Sequence, residues 1–164
     1  MKYRILCLIL SLCILLSGCG FFGERIKDPV TFYYLCSSYQ EDLCCVIASE
    51  EREASGHEGD LPYLLALYLM GPTNDEYVSP LPAGITIASQ IDEGHILLEL
   101  PDTAHALSDI EFSLACACLT LTCLEITNAE DVTILSGDRA KTMSHNTLTL
   151  YDTTSEPIAS EESP

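Results

Sequence analysis

The sequence predicts a small single α/β (α+β) domain with the element order β-β-α-β-β-α-β, a mixed sheet and two helices packed on one face. Three observations predict this class. Short runs rich in β-branched and aromatic residues are typical of strands. Two capped apolar segments are typical of helices. One pair of alternating runs, joined by an acidic turn with a glycine, is typical of a hairpin. The predicted domain covers residues 30–137, enough for one ordinary core.

The first two elements are predicted strands. Residues 30–36, "VTFYYLC", are β-branched and aromatic, and residues 43–49, "LCCVIAS", follow a polar, turn-like break. The next stretch, residues 50–60, is charged and contains two glycines, which is typical of an exposed loop.

The first helix is predicted to begin after Asp60, whose carboxylate can accept the free amide N–H groups of the first turn. Pro62 is tolerated in that turn because an N–H there has no helical partner. Apolar residues then recur at helical spacing: Leu61, Leu64, Leu65 and Tyr68. Gly71 and Pro72 predict the end of the helix, since Gly can adopt the left-handed cap and Pro cannot continue the helix.

The next two strands are predicted to form a hairpin. Residues 85–91, "ITIASQI", and residues 95–100, "HILLEL", alternate apolar and polar side chains on either side of a turn at residues 92–94. The apolar side chains can share one buried face: Ile85, Ile87, Ile91, Ile96, Leu98 and Leu100.

The second helix is predicted to open with a capping box, in which Ser108 caps the N–H of Glu111 and the Glu111 carboxylate reaches back to Ser108. Apolar residues lie on nearly every side of the following "FSLACACLTLTCLE", and the length and the cap favour a largely buried helix over a strand. Residues 131–137, "DVTILSG", are a predicted last strand. Residues 138–164 are polar and acidic, which is typical of a disordered tail.

The amino-terminal residues 1–18 have the features of a lipoprotein signal peptide. Lys2 and Arg4 precede an uncharged apolar run that is shorter than the ~20 residues a membrane-spanning helix needs. Leu16-Ser17-Gly18-Cys19 then resembles the bacterial lipobox, in which a diacylglycerol is attached to the Cys sulfur and the signal is cut before it. The resemblance implies that Cys19 carries fatty acyl chains such as palmitate and that residues 19–29 are a tether. An ordinary signal peptide with a chance Cys is the alternative.

The predicted mature chain is strongly acidic. Five basic and 25 acidic residues follow residue 18, so the formal charge is −20. Such a surface repels nucleic acid, which is therefore not an expected partner. It also repels anionic headgroups, so the lipid rather than charge must hold the protein to the membrane. Basic partners or divalent cations are compatible with this charge, but solubility is its more common purpose.

Six cysteines remain besides Cys19 and the two in the signal peptide: Cys36, Cys44, Cys45, Cys116, Cys118 and Cys123. Buried free thiols are favoured, because Cys behaves as a small core hydrophobe. One or more disulfides, or a metal site, are the alternatives. The spacing in "CACLTLTC" is not the paired C-x₂-C of zinc modules.

No catalytic residue, metal ligand or cofactor is predicted. The four histidines, His57, His95, His105 and His145, fall in four separate places, and no H-E-x-x-H, G-x-S-x-G or phosphate loop occurs. Asp92, Glu93 and His95 lie together in a composition typical of a solvated turn. A thiol redox enzyme would need a C-x-x-C motif, which the sequence lacks.

Taken in order, several of these stretches resemble the GerMN domain of bacterial spore-germination and sporulation lipoproteins. The resemblance covers residues 30–137. It rests on "YLLALYLMGP", which contains Gly71 and Pro72, and on "SPLPAGITIASQIDEGHILLEL", which contains Pro82, Gly84 and Gly94. It continues in the "TLT" of the second helix and in "VTILSG".

The resemblance implies a domain without known catalysis, similar in build to ring-forming domains of the channel between mother cell and forespore. It implies an anchored protein on the outer, extracytoplasmic face of the cell membrane. Such a protein would act in envelope or spore assembly, or in germination, through a protein partner or self-association. The best-known sporulation member carries two copies in tandem, and this chain has room for one.

A different class of function is the alternative: a tethered ligand-binding module for cell-wall glycan or a small solute. Such a module should have a pocket with aromatic walls. The aromatic residues that could supply them cluster near the first strand: Phe32, Tyr33, Tyr34 and Tyr39. A long exposed strand edge or an apolar surface patch would instead favour assembly with other proteins.

Overall fold

The computed structural model describes residues 29–38, 46–54 and 56–148, and these residues form an α+β domain. The predicted class and the order of the two helices are confirmed. The elements are β1 (Pro29–Cys36), β2 (Ile47–Glu53), α1 (Leu61–Leu69), β3 (Tyr77–Val78), β4 (Ala88–Asp92), β5 (His95–Leu100), a 3-10 helix (Asp102–Ala106), α2 (Asp109–Ile126), β6 (Asp131–Ser136) and β7 (Arg139–Met143). β3, the 3-10 helix and β7 are additional elements that the sequence patterns do not predict.

The strands form two sheets instead of the predicted single mixed sheet. The first has the order β2-β1-β3 and the second has the order β4-β5-β6-β7. The edge of β1 opposite β2 pairs with β3 at Leu35 and Cys36 only. At Tyr33, this edge of β1 bonds helix α2 instead of a strand. The backbone N–H of Tyr33 donates to Thr122 Oγ1 at 3.0 Å. No strand of the second sheet pairs with this edge in the described residues.

Helix α2 is buried on all sides over most of its length. Residues 115–124 are ten consecutive buried positions, and the helix packs on β1, β6 and β7. Small Ala, Cys and Thr side chains in this stretch allow neighbouring backbone to approach closely. The predicted capping box is present, with the Ser108 hydroxyl accepting from the Glu111 N–H and the Glu111 carboxylate accepting from the Ser108 N–H. The sequence prediction of a largely buried helix is confirmed.

The second sheet is mixed. The β4–β5 and β6–β7 pairs are antiparallel, and β5 and β6 are parallel, as expected for strands joined by a long crossover that contains α2. The predicted hairpin is present with Ile91 opposite Ile96. Ile96, Leu98 and Leu100 are buried, whereas Ile91 lies at the end of the hairpin and is 52% exposed. Glu93 and Gly94 in the turn both have positive φ, as in the tight turns that match the twist of a hairpin.

Helix α1 is joined to the first sheet by aromatic side chains. The rings of Tyr34 and Tyr68 stack with their centroids 4.8 Å apart, and Phe32 lies against Tyr68. Each tyrosine hydroxyl also donates to backbone, Tyr34 to the Tyr68 carbonyl and Tyr68 to the Tyr33 carbonyl. The predicted N-cap is present, since the Asp60 carboxylate accepts from the Tyr63 N–H.

Strand β2 ends later than predicted, and residues 43–45 of the predicted strand lie outside the described residues. It spans Ile47–Glu53, so the first part of the expected exposed loop at residues 50–60 is a strand that pairs with β1 in antiparallel register. Its charged composition fits an edge position. Within this stretch, Glu50 and Arg52 each hydrogen-bond the chain that follows α1, as described below.

Ordered structure also continues past residue 137, where the sequence predicted a disordered tail. Strand β7 pairs with β6, and its first residue, Arg139, reaches back to the segment before α2. Arg139 Nη1 donates to the Leu107 carbonyl at 3.0 Å, and Nη2 donates to the Ala104 carbonyl at 2.7 Å. The guanidinium also lies 4.0 Å from the centre of the Phe112 ring. These tertiary contacts explain why a polar sequence is ordered here.

Within the described residues, no helix combines the length and apolar character needed to cross a membrane.

We expect the Arg139→Ala variant to be less stable by about 2–4 kcal/mol. Two carbonyls lose a charged donor, each such bond contributing about 1.5–3 kcal/mol, and the partial exposure of the side chain lowers the sum. Guanidinium denaturation followed by circular dichroism would measure the change. Ala140→Ser, at the exposed next position of β7, is the control and should change stability by less than about 0.5 kcal/mol. Equal midpoints for the two variants would contradict a structural role for Arg139.

Candidate functional site

Gly71 and Pro72 follow the end of α1, as their chemistry predicts. Met70 caps the helix with helical dihedral angles, and Gly71 follows with φ of 87°. That left-handed conformation is available to Gly at little cost and terminates the helix. Pro72 then directs the chain away from α1.

Two side chains of β2 hold the end of this helix. Arg52 Nη1 donates to the carbonyls of Leu67 and Gly71, at 3.2 and 3.0 Å. A cation at this position adds a charged donor at the end of the helix, where the Leu67 carbonyl also accepts from the Met70 N–H, and it complements the negative end of the helix dipole. The Glu50 carboxylate accepts from the backbone N–H groups of Thr73 and Asn74. Gly71 and Pro72 therefore belong to a structural junction between α1 and β2.

The other motif residues mark turns. Gly84 has φ of 79° and stands in the loop before β4, where Pro82 lies between the buried Leu81 and Ile85. Gly94 has φ of 88° in the β4–β5 turn. The structure places these residues in separate loops, and each accounts for a local change of chain direction. Cys19, the predicted lipidation site, lies outside the described residues.

Two of the aromatic residues near β1 are core side chains rather than walls of a pocket. Phe32 and Tyr34 are fully buried in the core, and burial raises the pKa of the Tyr34 hydroxyl to about 12. A depression of about 420 Å³ lies at the end of β1, but Tyr77 is the one aromatic residue among the described residues that line it. Tyr33 is half-buried and does not line this depression, and Tyr39 lies outside the described residues. The described residues that line this depression therefore do not form the aromatic walls expected of a glycan-binding module.

The cysteines of α2 are core residues. Cys116, Cys118 and Cys123 are free thiols with no exposed surface. Burial raises the pKa of Cys116 to about 11, and it raises the pKa of Cys118 and of Cys123 to about 12. Because the thiolate is the reactive form, these groups are suited to packing and not to nucleophilic chemistry. Cys36 is also buried, and Cys44 and Cys45 lie outside the described residues.

The histidines lie apart from one another. His57 stacks on the Tyr63 ring with centroids 3.9 Å apart, and His145 is in the turn after β7. His95 Nδ1 lies 3.0 Å from Asp131 Oδ2 across the β5–β6 pair. The hydrogen bond and the negative charge of Asp131 raise the pKa of His95 above its ordinary value. In the described ranges, no group of three or more His, Cys, Asp or Glu side chains is arranged to hold a metal ion.

The second sheet has an open face that the sequence patterns do not predict. The face of the second sheet that points away from the helices is not covered by any described element, and it contains a shallow depression lined by Ala88, Ser89, Gln90, Leu97 and Glu99. The alternation of β4 and β5 indicates which side chains face outward, but only the register places these particular residues next to one another.

Comparison with known proteins identifies the fold. No protein-family model matches the sequence, and no curated protein matches it. The structure is similar to the tandem GerMN domains of the sporulation protein GerM from Bacillus subtilis, with a TM-score of 0.50 and 15% identity over 75% of this chain. The match covers 43% of the tandem chain, which is less than half of its length.

A second solved structure, the first GerMN domain of the same protein, is matched at a TM-score of 0.50 and 11% identity, over 70% of this chain and 86% of that one. At these identities the likeness concerns the fold. The sequence prediction of a GerMN-like domain is confirmed at that level.

We expect Cys116, Cys118 and Cys123 to resist alkylation in the folded protein. Iodoacetamide at pH 8 followed by peptide mass spectrometry should modify them only after guanidinium is added, because the native thiols are buried and protonated. The unfolded sample is the control that all three sites can be detected. Rapid modification of any one of them in the native protein would contradict a purely structural role and would favour a redox function.

Proposed function

We propose that this chain, whose fold is GerMN-like, is a non-enzymatic lipoprotein that acts outside the cytoplasmic membrane in spore or envelope assembly, or in germination, through protein–protein contacts. The observation that carries the proposal is the likeness to GerMN domains of a sporulation protein. A lipobox at Cys19 supports anchoring, because two acyl chains on one sulfur give a stable membrane attachment.

The chemistry of the described residues supports a binding role over catalysis. The three thiols of α2 are buried, and each has a raised pKa. The motif residues Gly71, Gly84 and Gly94 shape turns. The uncovered face of the second sheet, in contrast, offers a broad surface on which another protein can pack.

Deletion of the coding sequence in the native host tests this role. We expect fewer heat-resistant spores, or slower germination, with normal vegetative growth, and restoration of both by the wild-type chain. Normal spores together with altered growth or wall sensitivity would overturn the spore-related role. That result would favour the alternative of a tethered module that binds cell-wall glycan or a small solute.

The anchor has its own test. Cys19→Ala should abolish incorporation of labelled palmitate and shift the protein from the membrane fraction to the soluble fraction, since the variant lacks the sulfur that carries the lipid. Cys13→Ala, in the apolar part of the signal peptide, is the matched control and should be labelled like the wild type. Continued labelling of Cys19→Ala would show that the attachment site lies elsewhere in the chain.

A further inference from the structure

We propose that the uncovered face of the second sheet is a docking surface for a basic protein partner, with the depression at Leu97 receiving an arginine or lysine side chain and Glu99 pairing with its charge. The inference rests on the proposed function, which it deepens by naming the chemistry of the partner.

The residues of this face follow from the strand register. Gln90, Leu97, Thr133 and Thr142 form its central row, since each lies opposite the next across the β4–β5, β5–β6 and β6–β7 pairs. Ala88, Glu99, Leu135 and Ala140 form the row beside it. The central row carries no charge, and the residues facing the opposite way, such as Ile96 and Ile134, are buried against the helices. The centre of the face is therefore uncharged, and the Glu99 carboxylate lies in the neighbouring row.

The depression lies between β4 and β5 and is matched to one side chain. Its volume is about 130 Å³, below the roughly 300–1,000 Å³ of pockets that hold drug-sized ligands. Ala88 and Leu97 provide apolar surface, and Gln90 and Glu99 provide polar groups. Arginine and lysine have an apolar stem and a cationic head. The stem of one such side chain can pack on Ala88 and Leu97 while its head contacts Gln90 and Glu99.

Glu99 is available to pair with such a cation. It is exposed, and the described residues provide it with no ion pair or hydrogen bond. The three Lys and Arg residues in the described ranges are all engaged elsewhere. Arg52 holds the end of α1, Arg139 bonds the carbonyls of Ala104 and Leu107, and Lys141 Nζ donates to Ser113 Oγ at 2.6 Å.

Charge argues against the other occupants of this face. A second copy of the chain would bring a formal charge of −18 against an equal charge. The carboxy-terminal segment beyond residue 148 contains no Lys or Arg and carries Asp152, Glu156, Glu161 and Glu162. Like charges across an interface oppose association, whereas opposite charges favour it and speed the encounter. A basic partner is the occupant that complements the surface.

Titration of the ¹⁵N-labelled full chain with a tri-arginine peptide, in non-ionic detergent at physiological salt, tests the proposal. We expect saturable amide shift changes at Gln90, Leu97 and Glu99, and none with a tri-citrulline peptide, which is the neutral isostere. Glu99→Gln should weaken binding about two- to fivefold, the range that one exposed ion pair supports. Glu58→Gln, at an exposed carboxylate in the loop before α1, should leave the affinity unchanged.

Equal effects of Glu99→Gln and Glu58→Gln, or shift changes spread over all acidic surfaces, would mean that the peptide binds through net charge alone and would overturn the proposal. Binding centred at the acidic strand β2 would overturn it as well. The titration is independent of spore counts. If deletion leaves sporulation intact while the peptide binds at Glu99, the proposed function fails and the site stands. If deletion impairs sporulation and the peptide does not bind at Glu99, the proposed function stands and the docking site is overturned.

Discussion

The fold depends on one helix, α2, whose central stretch has almost no exposed surface. Ten successive residues of α2, 115–124, are buried, so the helix must be enclosed by chain on all sides. It meets this requirement by packing on β1 of the first sheet and on β6 and β7 of the second. A large side chain in this stretch would push one of these neighbours away, which explains the abundance of Ala, Cys and Thr. The two sheets are thus held together through α2.

Two arginines perform the same task at different places. Arg52 joins β2 to the carbonyl end of α1, and Arg139 joins β7 to the carbonyl end of the 3-10 helix. Each adds a charged donor to carbonyls at a helix terminus, where the regular series of helical bonds ends. Among the described residues, which contain three Lys and Arg residues, this use leaves most of the charge at the surface to carboxylates. The acidic surface and the internal bonding of the domain are therefore linked.

Features specified by neighbouring residues could be predicted from the sequence. Asp60 and Ser108 cap their helices as their side-chain chemistry indicated, and the β4–β5 hairpin has Ile91 opposite Ile96 as its alternation required. Features that depend on distant contacts could not. Strand β7 is polar and is ordered by the reach of Arg139 to Leu107, and the division into two sheets follows from the contact of Thr122 with β1. The candidate docking face belongs to this second kind, since only strand pairing places Glu99 and Leu97 next to Ala88 and Gln90.

The central position of β1 has a mechanical consequence. Pro29 is the first described residue, and it begins a strand that pairs with β2 along seven positions and contacts α2 on its other side. A pulling force applied at the amino end of the domain would enter through this strand, and the strand cannot leave without exposing Phe32 and Tyr34. The amino end of the described domain is therefore braced on both sides of β1, so tension applied there would be distributed directly to the core.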